Sequence, residues 1–378
     1  DVPVSREYGG ARRQRQARRA LEEEPAVEVS KPDSQSPGRM NRAWSGIKAA
    51  LKLNAYFTPF DRYLVDVPAA VDAGKRLIRE HGAEVIYACG DPFSCFYTGV
   101  ALKRATGLPL VLDLRDPWAL HDGKMALRPW LSAKAVHSLE RAVFEAADKV
   151  ILNTEACLER YQEHYGADSP DDHFTAIRNS YDPSLFLDVS PEPFDRFTIL
   201  YFGTLRRFVA LDEFLAGFRE FIDRTGLSAE QAQVVVMGEV DDHSVQMAEG
   251  FGVADYLQSR PPVSLRECMK YLRAADLLLL VIQDSCTLQI PGKLYDYLAS
   301  GTPIFAVSSN EEANGIIQST DSGVAVDGHD PDAVAAALCR CYEENQAQES
   351  AEADTSTYTA QVAAKAMAAI FNELIQEE

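Results

Sequence analysis

The chain has 378 residues and an apolar share of 46%, more than one hydrophobic core ordinarily supports, so two domains are expected. Thirty-seven Lys and Arg against 57 Asp and Glu leave a net charge of −20, which argues against nucleic acid as a partner, and no apolar run approaches the length of a membrane span. Seven cysteines, an odd number without CxxC spacing, read as reduced thiols of a cytoplasmic protein rather than a disulfide framework or a zinc site.

The first eight residues hold no signal-peptide core and the chain does not begin with Met, so a truncated N-terminus is expected. Gly9 and Gly10 stand ahead of a helical stretch, followed by Arg12, Arg13, Arg15, Arg18 and Arg19 with no acid among them. That cluster suits either a solvated helix face or a peripheral contact with anionic lipid or a phosphorylated acceptor at the inner face of a membrane.

From there, strand-like runs alternate with helical stretches, the mark of parallel α/β sheets. Val85–Cys89 reads as a strand, Pro92–Ala105 as a helix, Leu108–Leu114 as a strand, Ala133–Ala147 as a helix and Lys149–Leu152 as a strand. Arg178–Pro193, with three prolines and no sustained period, reads as a linker. A second series has strands at Thr198–Phe202, Gln233–Met237, Leu277–Ile282, Ile304–Val307 and Gly323–Val326, then a loop over Asn345–Thr357 and a helix over Tyr358–Gln376. The expected division is residues 1–190, 191–357 and a closing helix, 358–378. Open parallel sheets bind ligands beyond the carboxyl ends of their strands, so function is sought there.

The most informative stretch is QIPGKLYDYLASGTPIFAV, Gln289 to Val307. Pro291 and Gly292 open a helix whose first N–H groups, at Gly292, Lys293 and Leu294, are free to meet a phosphate. Lys293 adds positive charge, and Asp296, about one turn on, is able to accept from a ribose diol. A plain helix start with a first-turn acid fits the same residues. In FTILYFGTLRRF, Phe197 to Phe208, a strand runs into Gly203-Thr204 and then Arg206-Arg207, whose forked guanidinium groups suit a pyrophosphate; a solvated surface pair fits equally.

PGKLYDYLASGTPI resembles the donor-binding segment of retaining GT-B glycosyltransferases of the family 4 type (glycosyl transferases group 1). FGTLRR resembles their strand-glycine loop with its phosphate clamp, and Tyr8–Arg13 their first glycine loop. VIYACGDPFSCFYTGVALKRATGLPLVLDLRDPWAL, Val85 to Leu120, resembles their acceptor domain. The resemblance implies two Rossmann-like domains facing across a cleft and a C-terminal helix crossing back to the first. It implies a metal-independent hexosyltransferase that uses a nucleotide-diphosphate sugar as substrate and no cofactor. A sugar would pass, with retention, to a hydroxyl of a glycan, lipid-linked glycan or small molecule, with closure excluding water.

By the same resemblance Asp296 holds the ribose. Gly9, Gly10, Gly203, Thr204, Arg206, Arg207, Pro291, Gly292, Lys293 and Leu294 line the donor site. The sequence departs from the family at three places: Asp296 itself stands where the longer Glu is usual, Leu288 where an earlier Glu is usual, and Arg115-Asp116 where many relatives carry His-Asp. Arg115, Asp116 and His121 are thereby the candidates for meeting the transferred sugar. Two other readings stay open, a sugar-nucleotide epimerase on the same architecture and an inactive nucleotide-sugar-binding scaffold. Asp241, Asp242 and His243, and likewise Asp327, His329, Asp330 and Asp332, follow strands where polar loops and helix caps are expected, so no metal site is assigned.

Overall fold

The computed structural model describes residues 59–166, 170, 172–205, 211–347 and 353–376. Gly9, Gly10, the arginines between residues 12 and 19, and the pair Arg206-Arg207 lie outside the described residues. Two compact units emerge. Among the described residues, the first comprises those between 59 and 153, between 157 and 176 and from 370 to 376, and the second 154–156 and those between 177 and 369.

In the first unit a parallel four-stranded sheet runs in the order β1 (Ile86–Gly90), β2 (Leu110–Leu114), β3 (Lys149–Leu152), β4 (Phe174–Ala176). Its helices are α1 (Val67–His81), α2 (Ser94–Thr106), the short α3 (Asp122–Ala126), α4 (Trp130–Phe144) and α5 (Glu155–Tyr165). β2 and β3 are buried along their whole length, as the β-branched and Leu-rich runs LVLDL and KVIL require of central parallel strands. Within LVLDL, Asp113 is an acid with no exposed surface.

The second unit is a six-stranded parallel sheet ordered β10 (Gly323–Val326), β9 (Ile304–Ser308), β8 (Leu277–Ile282), β5 (Phe197–Phe202), β6 (Ala232–Met237), β7 (Leu257–Arg260). Around it lie α6 (Leu211–Thr225), α7 (Asp242–Gly250), α8 (Leu265–Leu272), α9 (Lys293–Ser300), α10 (Glu311–Ser319) and α11 (Pro331–Ala347). Side chains alternate across the sheet. Ile199, Val234, Leu279 and Phe305 face α6 and α11 through Phe214, Phe218 and Leu338, whereas Leu200, Val235, Leu278 and Leu280 face Met269, Tyr297 and Ile317. Tyr297 also ties α9 to the sheet by accepting from the Phe202 N–H at 3.0 Å.

The strand order reverses between β5 and β8, which therefore flank the switch point of a doubly wound sheet. The final helix α12 (Ala360–Gln376) begins in the second unit and places Ile370 onward in the first, where Phe371 meets the Tyr87 ring edge-on at 5.8 Å and Glu373 lies 3.3 Å from Lys149.

Two boundaries differ from expectation. The chain changes unit at Ala176–Ile177 rather than near residue 190, because the stretch expected to be a linker sinks Phe186 and Val189 into the second core. The expected loop from Asn345 begins later, as α11 runs on to Ala347.

Candidate donor site and the loop after the second strand

β5 ends at the switch point in Gly203, whose φ of +129° is a conformation that side-chain-bearing residues rarely adopt. The following loop is stitched to the one after β6: Gly203 N–H donates to Met237 O at 3.1 Å and Leu205 N–H to Glu239 O at 2.8 Å. The two loops run so close that a Cβ on Gly238 would come within 2.4 Å of the Gly203 carbonyl oxygen. Backbone amides of Gly203 and Thr204 are thus held at the carboxyl edge of the sheet.

On the other side of the switch point, the loop from β8 to α9 is fixed by its neighbours. Asn310 caps α10 by accepting from Ala313 N–H at 2.9 Å, while its amide donates to Cys286 O at 2.8 Å and Gln289 O at 3.3 Å. Leu288, at the place of the family's first acid, offers its carbonyl to the Thr154 hydroxyl at 2.9 Å.

The loop delivers Lys293 to the end of β5. Its ammonium lies 3.8 Å from the centre of the Tyr201 ring and 3.5 Å from where a Cβ on Gly203 would stand. No carboxylate pairs with Lys293 among the described residues, and desolvation lowers its pKa to about 8. A cation kept out of water on a π face and without a counter-charge is a ready partner for an anion.

Gly292 is the N-cap of α9 and Lys293 its first residue, beside Pro291. The N–H of Leu294 is not free as expected. It donates to Pro291 O at 3.0 Å because the first turn is tight, which leaves Gly292 and Lys293 to present their amides. Asp296, one turn in, is half-buried and its carboxyl pKa is raised by desolvation. It makes no ion pair with Lys293, so both groups remain available to a ligand at this edge.

In the first unit, the loop after β2 carries the other candidates. Arg115 turns its guanidinium back onto the buried Asp113, with Nε at 2.9 Å, and the Tyr87 hydroxyl donates to the same carboxylate oxygen. Asp116 is half-buried and the following Pro117 is buried. His121 caps α3, its Nδ1 accepting from Lys124 N–H at 3.3 Å. Desolvation, reinforced by the charge of Lys124, lowers its pKa, so the ring is neutral at pH 7 with its proton on Nε2. An N–H donor rather than an imidazolium therefore stands beside Asp116.

Sequence reasoning missed two clusters. His329 lies between Glu213 at 3.1 Å and Asp284 at 3.0 Å, and Ser309 donates to Asp284 at 2.6 Å, a grouping created by the loops after β8, β9 and β10 together with the first turn of α6. The other is a buried glutamate, Glu140, in contact with the loop after β2. Of the acids set aside as helix caps and loop formers, Asp241 caps α7 through Ser244 N–H at 2.9 Å, and Asp327 accepts from His329 N–H at 3.0 Å. Among the described residues no group of three or more His, Cys, Asp or Glu is arranged to hold a metal ion. A cavity of about 630 Å³ opens at the amino ends of β8 and β9, among Arg273, Asp276, Arg340 and Asn345. It lies at the opposite edge of the strands from Gly203 and Lys293.

Two family models match the chain in succession, Glycosyltransferase Family 4 over residues 15–185 and Glycosyl transferases group 1 over residues 196–344. A D-inositol 3-phosphate glycosyltransferase of Nocardiopsis dassonvillei is 25% identical over 257 residues, 64% of this chain and 58% of that protein, so the chain spans about three-fifths of that relative's length. Among solved structures, sucrose-phosphate synthase of Thermosynechococcus elongatus superposes with a TM-score of 0.61 at 15% identity, covering 97% of this chain and 93% of that one. An α,α-trehalose-phosphate synthase (UDP-forming) of Burkholderia xenovorans, in complex with glucose-6-phosphate, gives 0.60 at 13% identity over 83% and 79%. With one model on each half in the expected order and the GT-B architecture beneath both, the chain belongs to the GT-B glycosyltransferases of the family 4 and group 1 type.

Proposed function

We propose that the protein transfers a sugar from a nucleoside diphosphate to a hydroxyl acceptor, with retention and without a metal. The observation that carries this is Lys293: a desolvated ammonium with no carboxylate partner among the described residues, set beside Gly203 at the switch point of the second sheet. Charge on a departing diphosphate would be met there by Lys293, by the amides of Gly292 and Lys293 at the start of α9, and by Arg206 or Arg207 following β5. Asp296 would hold the ribose. In the first unit, Asp116 and the neutral His121 would meet the transferred sugar, whereas Arg115, drawn onto Asp113, shapes the loop. Similarity to a D-inositol 3-phosphate glycosyltransferase and to a trehalose-phosphate synthase in complex with glucose-6-phosphate supports phosphorylated polyols and sugars as the first acceptors to try. Seven unbridged cysteines support a reducing compartment, the cytoplasm.

The test is a panel of UDP-glucose, UDP-N-acetylglucosamine, GDP-mannose, ADP-glucose and dTDP-glucose, each with and without D-myo-inositol 3-phosphate or D-glucose 6-phosphate. Release of nucleoside diphosphate that depends on acceptor, with the anomeric configuration of the product read by NMR, is the expected result. Isomerisation of a donor without acceptor would establish an epimerase instead, and nucleotide binding without turnover a scaffold.

A further inference from the structure

α4 buries one carboxylate completely: Glu140 has no exposed surface. Its Oε1 accepts from Ala119 N–H at 2.8 Å and from the Tyr161 hydroxyl at 2.8 Å, and its Oε2 from the Tyr165 hydroxyl at 2.5 Å. The Tyr161 oxygen in turn accepts from Trp118 N–H at 2.9 Å. Tyr161 and Tyr165 are four residues apart on α5 and so present one face to Glu140. No basic side chain pairs with Glu140 among the described residues.

A buried carboxylate without a cation is an expensive way to fill a core, and an apolar side chain of similar size would do it more cheaply. Glu140 does something an apolar residue cannot. Together with Tyr161 it satisfies two consecutive backbone N–H groups, those of Trp118 and Ala119, that point inward from a loop with no ladder to receive them. Upstream, the loop is pinned at Arg115, whose N–H donates to Gly90 O at 3.3 Å and whose carbonyl accepts from Asn153 at 3.1 Å. Phe93 stacks on Trp118 at 4.7 Å. Between the two anchors only Asp116 and Pro117 remain, and proline fixes its own φ. The direction of Asp116 is therefore set from both ends, and the second end is Glu140.

We propose that Glu140 is a positioning residue for transfer, holding the loop after β2 so that Asp116 and His121 meet the sugar in a productive geometry. This rests on the reading of that loop as the one that contacts the transferred sugar. Glu140 itself touches no substrate and acts through the Trp118 and Ala119 amides.

Three variants test it. Glu140→Ala removes the tether. Tyr161→Phe removes only the hydroxyl. Glu140→Gln keeps a carbonyl oxygen for Ala119 and Tyr161, while its amide is able to donate to the Tyr165 oxygen. With the donor and acceptor pair from the panel above that the wild-type protein turns over, Glu140→Ala should lower kcat by about ten- to a hundredfold, the usual cost of a slight misplacement. Donor KM and UDP affinity, set in the second unit, should stay within about twofold. Glu140→Gln should restore kcat to within about threefold of wild type, since its neutral carbonyl still accepts from Ala119 and Tyr161, though less strongly. Amide exchange of the 115–121 peptide should quicken in Glu140→Ala and Tyr161→Phe but not in Glu140→Gln.

A folded Glu140→Ala with wild-type kcat overturns the proposal, as does Glu140→Gln with wild-type loop exchange but the kcat of the alanine variant. Should Glu140→Ala not fold, Tyr161→Phe decides: quicker exchange at Trp118 with unchanged kcat overturns it. A wild-type protein that transfers nothing, with exchange responding as described, instead overturns the functional reading on which the positioning role depends.

Discussion

Lys293 and Tyr201 form a cation–π pair, the ammonium 3.8 Å from the ring centre, at the point where the sheet of the second unit reverses its strand order. The pair holds the charge in place without neutralising it, as a carboxylate partner would. Lys293→Ala should weaken binding of UDP by about ten- to a hundredfold, the worth of a hydrogen bond to a charged group, and leave uridine binding nearly unchanged. Isothermal titration of the two ligands checks this, and equal losses for both would point to a collapsed site.

The same lysine gives a pH dependence. With its pKa lowered to about 8 in the free protein, Lys293 loses its charge as pH rises through that value. Affinity for UDP should therefore fall between about pH 7 and pH 9, with a proton taken up on binding at the upper end. Lys293→Arg, charged throughout, should flatten the profile. Titration in two buffers of different ionisation enthalpy measures the proton uptake.

Asp296 is half-buried in the first turn of α9 with its carboxyl pushed upward by desolvation. Asp296→Ala should cost about ten- to a hundredfold in nucleotide affinity, and Asp296→Asn less, because the amide oxygen still accepts. Uridine should feel this loss as strongly as UDP, the reverse of the pattern at Lys293. If Asp296→Ala binds as tightly as wild type, the ribose assignment is wrong.

Much of the fold was legible because its strands are chemically blunt. LLLLVI at Leu277–Ile282 has only one reading in an α/β chain, and the strand begins and ends where the sequence places it. β7 escaped because LQSR is polar and only partly covered at the sheet edge, and β4 because three residues carry no period. The donor stretch could be found in the sequence because its parts, Pro291 to Asp296, lie within one turn and a half. The sequence offers Arg115 as a candidate for meeting the transferred sugar but not its partner, the buried Asp113 two positions back, which only the structure shows. Glu140 gave no signal at all: an acid in a helix reads as solvated face, and only the arrival of residues 118 and 119 from another element shows otherwise.

Glu140 also leaves a mark on stability. Burial raises its pKa to about 7, the hydrogen bonds from Tyr165, Ala119 and Tyr161 only partly offsetting this. Because the folded-state value lies above the unfolded one, the cost of ionising Glu140 in the core is absent below about pH 4.5 and complete above about pH 7, amounting to about 3 kcal/mol. Wild-type stability should fall across that window relative to Glu140→Gln, and denaturant melts of the two proteins at pH 5 and pH 8 measure the difference.

Removal of metals should leave transfer intact. Helix amides and basic side chains are proposed to meet the charge on the leaving diphosphate, so excess EDTA should not change the rate. Loss of activity that returns only with added magnesium or manganese would show that a cation shares that work.

α12 gives the first unit its last pieces. Phe371 against Tyr87, Glu373 beside Lys149 and the buried Leu374 are supplied by residues 370–376, some two hundred positions after the first sheet is complete. On a ribosome, the half made earliest waits through synthesis of the entire second half before Tyr87 and Lys149 find their partners. Folding of the two halves is therefore not two independent events: the second must be built, and its final helix released, before the first is closed.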